Sequence, residues 1–302
     1  MSTRVAVVDL GSNSTRLLIA DVTGDGSLTE LERRSVVTRL GEGVDATGAL
    51  AAEAIARVED VLADYRRAMD QRGVEAAVGV LTSAVRDAAD GDAFAARVRE
   101  RFGIAARTIP GEEEARLTYI GATSEHPPTA PTAVIDIGGG STEVIVGCGD
   151  ELRFHVSTQV GVVRHSERHL HDDPPAAAQL RALRDDVAAV FAEQIPAGIA
   201  ARHGIAVAGT ATQCATMLGG ATLRRDRLEA LLQRLAALPL AERREVRGLG
   251  ADRAPTIVAG VAVLLEAMAA LGLEAVTASD HDILRGAALE RSGFLAWPPP
   301  HF

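Results

Sequence analysis

The chain has 302 residues, 47% hydrophobic and 24% charged, which is ordinary for a soluble globular protein and long enough for two domains with their own cores. Its formal net charge of −10 argues against broad nucleic-acid binding, and an aromatic content of 3% leaves little for base stacking. All 31 basic residues are arginine, which excludes a Walker-type phosphate lysine and any Schiff-base mechanism, while arginine suits bidentate phosphate recognition.

In chain order, Val5 to Val8 reads as a buried strand and Thr15 to Val22 as its hairpin partner across the loop GSNS. From Ala49 to Gln71, Ile55, Val58, Leu62, Tyr65 and Met69 fall at helical spacing, and Gly73 supplies a stop. Val74 to Leu81 is apolar and β-branched, a central strand. A helix from Ala93 to Arg101 ends near Gly103, and Ile104 to Ile109 is a further strand. Pro110-Gly111 opens a helix whose first turn is Glu112, Glu113 and Glu114, where carboxylates suit the helix dipole. The Pro-rich stretch EHPPTAPT, residues 125 to 132, is expected to be a linker. Beyond it the opening pattern restarts as strand, Gly/Ser loop, strand, with Glu151 to Ser157 as a third strand. The remainder is mostly helical, over Pro175 to Arg202, Thr210 to Leu218, Arg224 to Leu238 and Thr256 to Leu271. Ile205 to Ala208 and Ala275 to Ala278 are short strands between these helices, and PPPHF is expected to be a frayed tail.

The restart is an internal repeat. VAVVDLGSNSTRLLIADV (Val5 to Val22) and TAVIDIGGGSTEVIVGCG (Thr132 to Gly149) share Ala, Val, Asp, Gly, Ser and Thr in register. A tandem duplication of an α/β domain follows, with a first domain over 1–126 and a second over 127–302. A last helix over about 281–302 belongs to the loosely matched segment ASDHDILRGAAL, which either closes the cleft or returns to the first domain.

The two glycine-rich loops carry the chemistry. Without Cβ atoms to block close approach, backbone N–H groups can converge on an anion, and Ser141 and Thr142 add hydroxyl donors. Asp136, at the C-terminal end of a buried strand, is placed to hold a cation or its bound water. A dinucleotide fingerprint would need a helix after the glycines. TEVIVG is short and β-branched, so a hairpin is expected instead. Asn13, in the first loop, is the only asparagine of the chain. Cys148 and Cys214 have no disulfide-framework or metal-ligand spacing and are expected to be reduced.

Paired DxG hairpins on duplicated domains resemble the actin, sugar-kinase and heat-shock ATPase superfamily, whose domains are ribonuclease H-like. The set DLGSNSTRLLIADV, TRLGEGVDATGAL, LTSAVRDAAD, IPGEEEARLTYIGA, VIDIGGGSTEVIVG, QVGVVRHSERHLHDDPP and AGTATQCA is narrower. It resembles, in order, the exopolyphosphatase / guanosine pentaphosphate phosphohydrolase family, in its short two-domain form. The resemblance implies an α/β fold of two actin-like domains around a cleft. It also implies hydrolysis of the terminal phosphate of inorganic polyphosphate with Mg²⁺ (or Mn²⁺), with guanosine pentaphosphate as the alternative substrate, and a homodimer.

Residue by residue, the resemblance makes Glu114 the catalytic glutamate. Ser12, Asn13, Ser14, Gly138, Gly139, Gly140 and Ser141 become phosphate-loop positions, and Asp9, Asp136 and Glu143 the carboxylates near which the metal is held. Arg86, after a strand end, contacts phosphate or pairs with Asp87 or Asp90; Arg16 and Arg39 are lesser candidates. Arg164 and Arg168, with His165, His169 and His171, form a basic run that lines a channel or stays solvated. Its histidines show no metal geometry on the sequence, so the metal is assigned to carboxylates. Gln213 and Cys214 after GTAT depart from the family and weaken guanosine binding there. Two other classes stay open: an ATP-dependent kinase or chaperone-like ATPase on the same scaffold, and a non-catalytic polyphosphate or alarmone sensor. MSTRVAVVDLG carries no signal-peptide hydrophobic region and no apolar run reaches the roughly 18 residues of a membrane span, so a cytoplasmic address without membrane or nucleic-acid partners is expected.

Overall fold

The computed structural model describes residues 2–149 and 151–291; the expected tail beyond Trp297 lies outside them. The first sheet comprises β1 (Ser2–Leu10), β2 (Ser14–Thr23), β3 (Leu28–Val37), β4 (Ala76–Leu81) and β5 (Ala105–Thr108), in the order β3-β2-β1-β4-β5. The second comprises β6 (Thr132–Ile137), β7 (Thr142–Cys148), β8 (Glu151–Thr158), β9 (His203–Val207), β10 (Thr222–Arg224) and β11 (Ala275–Ala278), in the order β10-β11-β9-β6-β7-β8. Read from the antiparallel edge inward, β8-β7-β6-β9-β11 repeats β3-β2-β1-β4-β5 with the same pairing sense at every step. The fold is therefore α/β, with two copies of the actin-like, ribonuclease H-like sheet; among the described strands only β10 has no counterpart.

The repeat read on the sequence is also a repeat in register. Asp9 lies opposite Arg16 across β1–β2, and Asp136 lies opposite Glu143 across β6–β7. Both hairpins turn at the C-terminal ends of buried central strands, where ligands gather in open α/β sheets. β3 escapes a pattern reading because LTELERRSVV carries four charged residues. It is an edge strand paired on one side, where such charges discourage further pairing. The helix expected over Pro175 to Arg202 is shorter, Ala177–Gln194, because Ile195 is extended ahead of Pro196.

Helix Ala52–Arg72 buries Ala54, Val58, Leu62, Tyr65 and Met69 against the outer face of the first sheet and ends at Gly73, φ 64°. Helix Ile257–Ala270, apolar on nearly every face, fills the core behind the second sheet. Two further helices lie between the sheets. Gly111–Thr123 presents Leu117 to Val5, Val7 and Leu18 of the first sheet and presents Ala115 and Tyr119 to Val134 and Ile145 of the second. Ile283–Arg291, the last described element, returns to pack Ile283, Leu284 and Ala288 on the first sheet and on that helix.

The two inter-sheet helices cross at paired glycines. A Cβ on Gly121 would collide with the Asp282 carbonyl, and one on Gly286 with the Leu117 carbonyl. Gly286→Ala is therefore expected to cost at least about 1–3 kcal/mol from overpacking, lowering Tm by several degrees. Thermal unfolding checks this, and an unchanged Tm would mean that the two backbones do not approach so closely.

Candidate active site

The two hairpin loops meet. None of Gly138, Gly139 and Gly140 adopts a left-handed φ, so the glycine run does not serve the turn itself. The requirement is close approach to the other half of the molecule. A Cβ on Gly139 would lie 2.7 Å from Ser12 Cβ and 2.8 Å from the Asn13 amide nitrogen. One on Gly140 would lie 2.5 Å from Ser83 Oγ. Among the described residues, the amides of Ser12, Asn13, Gly139 and Ser141 have no hydrogen-bond acceptor. Free amides converging from two facing loops form an anion cradle.

Around this cradle a cleft of about 710 Å³, open to solvent, is lined by Asp9, Ser12, Asn13, Ser14, Glu114, Asp136, Gly138, Gly139, Ser141 and Glu143. Two of the expected phosphate ligands are not among its lining. Gly140 packs against the Ser83 and Ser12 hydroxyls instead. Arg86 sits behind the cleft, donating at 3.0 Å both to Glu114 Oε2 and to the Ile109 carbonyl. Its partner is thus Glu114, not Asp87, which pairs with Arg164 at 2.6 Å. The Thr142 hydroxyl is also unavailable, since it donates to the Val160 carbonyl at 2.6 Å.

Four carboxylates face one another in the cleft. Glu114, from the first turn of Gly111–Thr123, is 7% exposed, and burial lifts its pKa to about 7 against the pull of Arg86. Asp136 is likewise lifted to about 7 by burial, opposed by Arg16 and reinforced by Asp282 and Asp9. Glu143 stands well above the usual carboxylate range through burial and the charges of Glu114 and Asp136, although it accepts a 2.7 Å hydrogen bond from Ser157. Asp9 accepts from Arg16 Nε at 2.7 Å through Oδ2. Its Oδ1 is buried without a hydrogen-bond partner among the described residues.

An orphaned carboxylate oxygen beside carboxyls held above their usual range is a donor set that fits a hard divalent cation. Asp9, Asp136 and Glu143 do not, however, bring three ligand atoms within 4.8 Å of one another among the described residues. They form no closed cage, and Mg²⁺ commonly uses one or two carboxylates with the rest of its shell from waters and phosphate.

The tertiary structure adds residues that the sequence reading passed over. Asp282, buried at the start of the returning helix, pairs with Arg16 across 266 residues of chain. Arg253 enters the cleft from the second half beside Thr210, Gln213 and Thr256. Among the described residues it has no carboxylate partner and hydrogen-bonds only Ser35 Oγ, at 3.3 Å, and burial together with Arg16 draws its pKa down to about 10. An under-partnered, half-buried guanidinium facing an anion cradle attracts phosphate. Its one sequence cue is its place just ahead of the most apolar helix.

The basic run also changes meaning. Arg164 donates to the Gly140 carbonyl at 2.9 Å and pairs with Asp45 and Asp87, while Arg168 pairs with Asp45. Helix Val162–His169 therefore clasps the first half of the molecule through Arg164 and Arg168, while Arg168 stays partly exposed.

A family model described as the Ppx/GppA phosphatase family matches residues 18–290. The chain belongs to that family. Among Ppx/GppA relatives, exopolyphosphatase 2 of Mycobacterium tuberculosis is 36% identical over 319 residues, covering 96% of this chain and 99% of that protein. Guanosine-5'-triphosphate,3'-diphosphate pyrophosphatase of Pseudoalteromonas translucida is 30% identical, covering 89% of this chain and 55% of that longer protein. Of solved Ppx/GppA structures, an exopolyphosphatase-like protein is similar with a TM-score of 0.89 at 31% identity, covering 96% of this chain and 98% of the other. The Aquifex aeolicus family member gives a TM-score of 0.80 at 27% identity, over 97% of this chain and 98% of that one.

In this Ppx/GppA chain the contact of Gly139 with Ser12 and Asn13 sets the separation of the two loops. Gly139→Ala must push them apart by a fraction of an ångström to relieve the overlap. Because misplacement of about 1 Å in a positioning element costs on the order of 100-fold, kcat/KM is expected to fall by about 10- to 100-fold with little change in Tm. Steady-state kinetics beside a melting curve tests this, and wild-type kcat/KM would show that the contact does not set the loop geometry.

Proposed function

We propose that this chain is an exopolyphosphatase, releasing the terminal phosphate of inorganic polyphosphate by attack of a water that Glu114 deprotonates. The observation that carries the reading is Glu114 itself. It is buried between the two phosphate loops, held by Arg86, and has its pKa raised to about 7, close to the value that best serves a general base at neutral pH. The similarity to exopolyphosphatase 2 over nearly the whole of both chains supports the same reading.

The terminal phosphate occupies the cradle, with its oxygens on the free amides of Ser12, Asn13, Gly139 and Ser141 and on the Ser141 hydroxyl. Arg253 meets the next phosphate along the chain. Glu114 accepts a proton from the water as its oxygen bonds to the terminal phosphorus and the bridging P–O bond breaks. The shortened chain leaves with the bridging oxygen and its electron pair. Asp9, through its free Oδ1, with Asp136 and Glu143, would hold Mg²⁺ or Mn²⁺, which offsets phosphate charge when bound. Arg16, tied to Asp9 and Asp282, keeps the first hairpin's carboxylate aimed into the cleft.

Inorganic polyphosphate is favoured over guanosine pentaphosphate because no Phe, Tyr or Trp of the described residues lines the cleft, leaving nothing on which a purine would stack. The proposal also carries a cytoplasmic address, taken as the default for a sequence with no recognised signal or spanning segment, and a homodimer, which rests on the family resemblance. No helix among the described residues is long and apolar enough to cross a membrane.

The test is phosphate release from short and long polyphosphate, guanosine pentaphosphate and ATP, with and without Mg²⁺ or Mn²⁺. Metal-dependent release from polyphosphate, faster than from the nucleotides, is expected. Release from ATP alone would replace this reading with an ATPase, and tight polyphosphate binding without release at any metal concentration would replace it with a sensor.

A further inference from the structure

Behind the phosphate loop, on the face of helix Val162–His169 turned away from the clasp, His165 and His169 lie one turn apart. They face Asp186 of helix Ala177–Gln194. One ligand atom from each of these three residues lies within 4.8 Å of the other two. His169 Nε2 is 2.8 Å from Asp186 Oδ2. His165 Nε2 is 3.5 Å from the same oxygen, is buried, and has no hydrogen-bond partner among the described residues. The run shows no metal geometry on the sequence because the third ligand, Asp186, comes from another helix.

We propose that His165, His169 and Asp186 form a binding site for a borderline transition-metal cation of the Zn²⁺ class, separate from the carboxylate cleft. Two imidazoles and one carboxylate suit such a cation and are a poor match for Mg²⁺, which prefers an all-oxygen shell. The side chain of His165 is 1% exposed, so an unsatisfied ring nitrogen there is costly unless something fills it. Burial draws the His165 pKa down to about 4, which keeps the ring neutral and its lone pair available. Its Nδ1 lies 3.2 Å from the Gly161 carbonyl and 3.3 Å from the Gly161 amide nitrogen; in the tautomer that donates Nδ1–H to the carbonyl, Nε2 is the ligand atom.

At metal–ligand distances of about 2.0–2.1 Å, tetrahedral ligand atoms sit roughly 3.3 Å apart, between the two separations to Asp186 seen here. A small opening at His169 admits the ion. Asp186 is 38% exposed and His169 20%, which leaves a path for entry and a fourth position for water.

The placement gives the ion a role. Gly161 packs against Gly139 and Gly140, and the amides of Val162 and Val163 donate to the Gly138 and Gly139 carbonyls. A cation that fixes His165 and His169 to the helix Ala177–Gln194 therefore braces the loop that forms half of the anion cradle. It takes no part in the chemistry.

The test is Co²⁺ and Zn²⁺ titration of the tag-free full chain in excess Mg²⁺, which occupies the cleft carboxylates, with Co²⁺ followed by its visible absorption. One equivalent of Co²⁺, displaced by Zn²⁺ and accompanied by a rise in Tm, is expected. His169→Ala and Asp186→Asn, both at partly exposed positions, should each weaken binding by at least about tenfold, because each removes one ligand. Their metal-free Tm should stay unchanged. Absence of stoichiometric binding in the wild type, or undiminished binding in both variants, would overturn the proposal.

Discussion

Glu114→Gln is expected to lower kcat for phosphate release by about 10²- to 10⁴-fold, the usual worth of a positioned general base, with KM changed little. The amide keeps the size of the carboxyl and can still accept a hydrogen bond from Arg86 through its oxygen, but it cannot take a proton from water. Arg86 also retains the Ile109 carbonyl, so no buried cation is left stranded. The pH profile supplies a second readout. With Glu114 raised to about 7, the wild-type rate should climb with pH below that value as the base deprotonates, then level off. The Gln variant should lose this limb. A variant that keeps the wild-type kcat and acid limb would assign the base to another residue.

Glu143→Gln is expected to raise stability at alkaline pH while greatly impairing activity. The folded-state pKa values of Glu114 and Asp136, each about 7, lie above their ordinary 4.5 and 3.8, and Glu143 is raised in the same direction. Groups shifted upward contribute stability that is fully present below their unfolded values and is lost as pH rises through their folded ones. The metal-free wild type should therefore lose stability between pH about 4.5 and about 8.

Each pKa unit is worth about 1.4 kcal/mol, and the coupled carboxyls share the effect. Removing one buried charge should accordingly raise Tm at pH 8 by several degrees. At pH 4.5, where the group is already protonated, the gain should vanish. The Gln oxygen still accepts the hydrogen bond from Ser157, so packing is retained. Thermal unfolding of both proteins across this pH range, without divalent metal, decides the point. A Tm at pH 8 equal to or below that of the wild type would mean that the carboxylates do not strain the fold. Added Mg²⁺ should stabilise the wild type more than the variant, since it relieves the same repulsion.

The two predictions share an origin in the duplication. The cross-strand partner of the first aspartate is Arg16, and that of the second is Glu143. One hairpin is thereby neutralised by its own sequence and anchored to Asp282, while the other is left with adjacent buried carboxylates. The asymmetry leaves one copy of the motif with an arginine-paired aspartate and the other with adjacent carboxylates whose charge a cation would offset.

Local pattern was enough to determine most strands and helices, the internal repeat and the two DxG hairpins, since each depends on neighbours within a few residues. Glu114 could be singled out only through resemblance, because three glutamates in a first helical turn look alike until the fold buries one of them. Glu113 turns instead to Arg107 and Glu112 stays near solvent. β3 was obscured because an edge strand need not alternate cleanly.

What only the tertiary structure decided joins residues far apart in sequence. The Arg16–Asp282 and Arg253–Ser35 contacts span 266 and 218 residues. The pairing of Arg86 with Glu114, the removal of Gly140 from the cleft and the meeting of two histidines with Asp186 likewise depend on how separate elements pack. Periodicity records which face of an element is buried, whereas a partner across the core leaves no local signature on either segment.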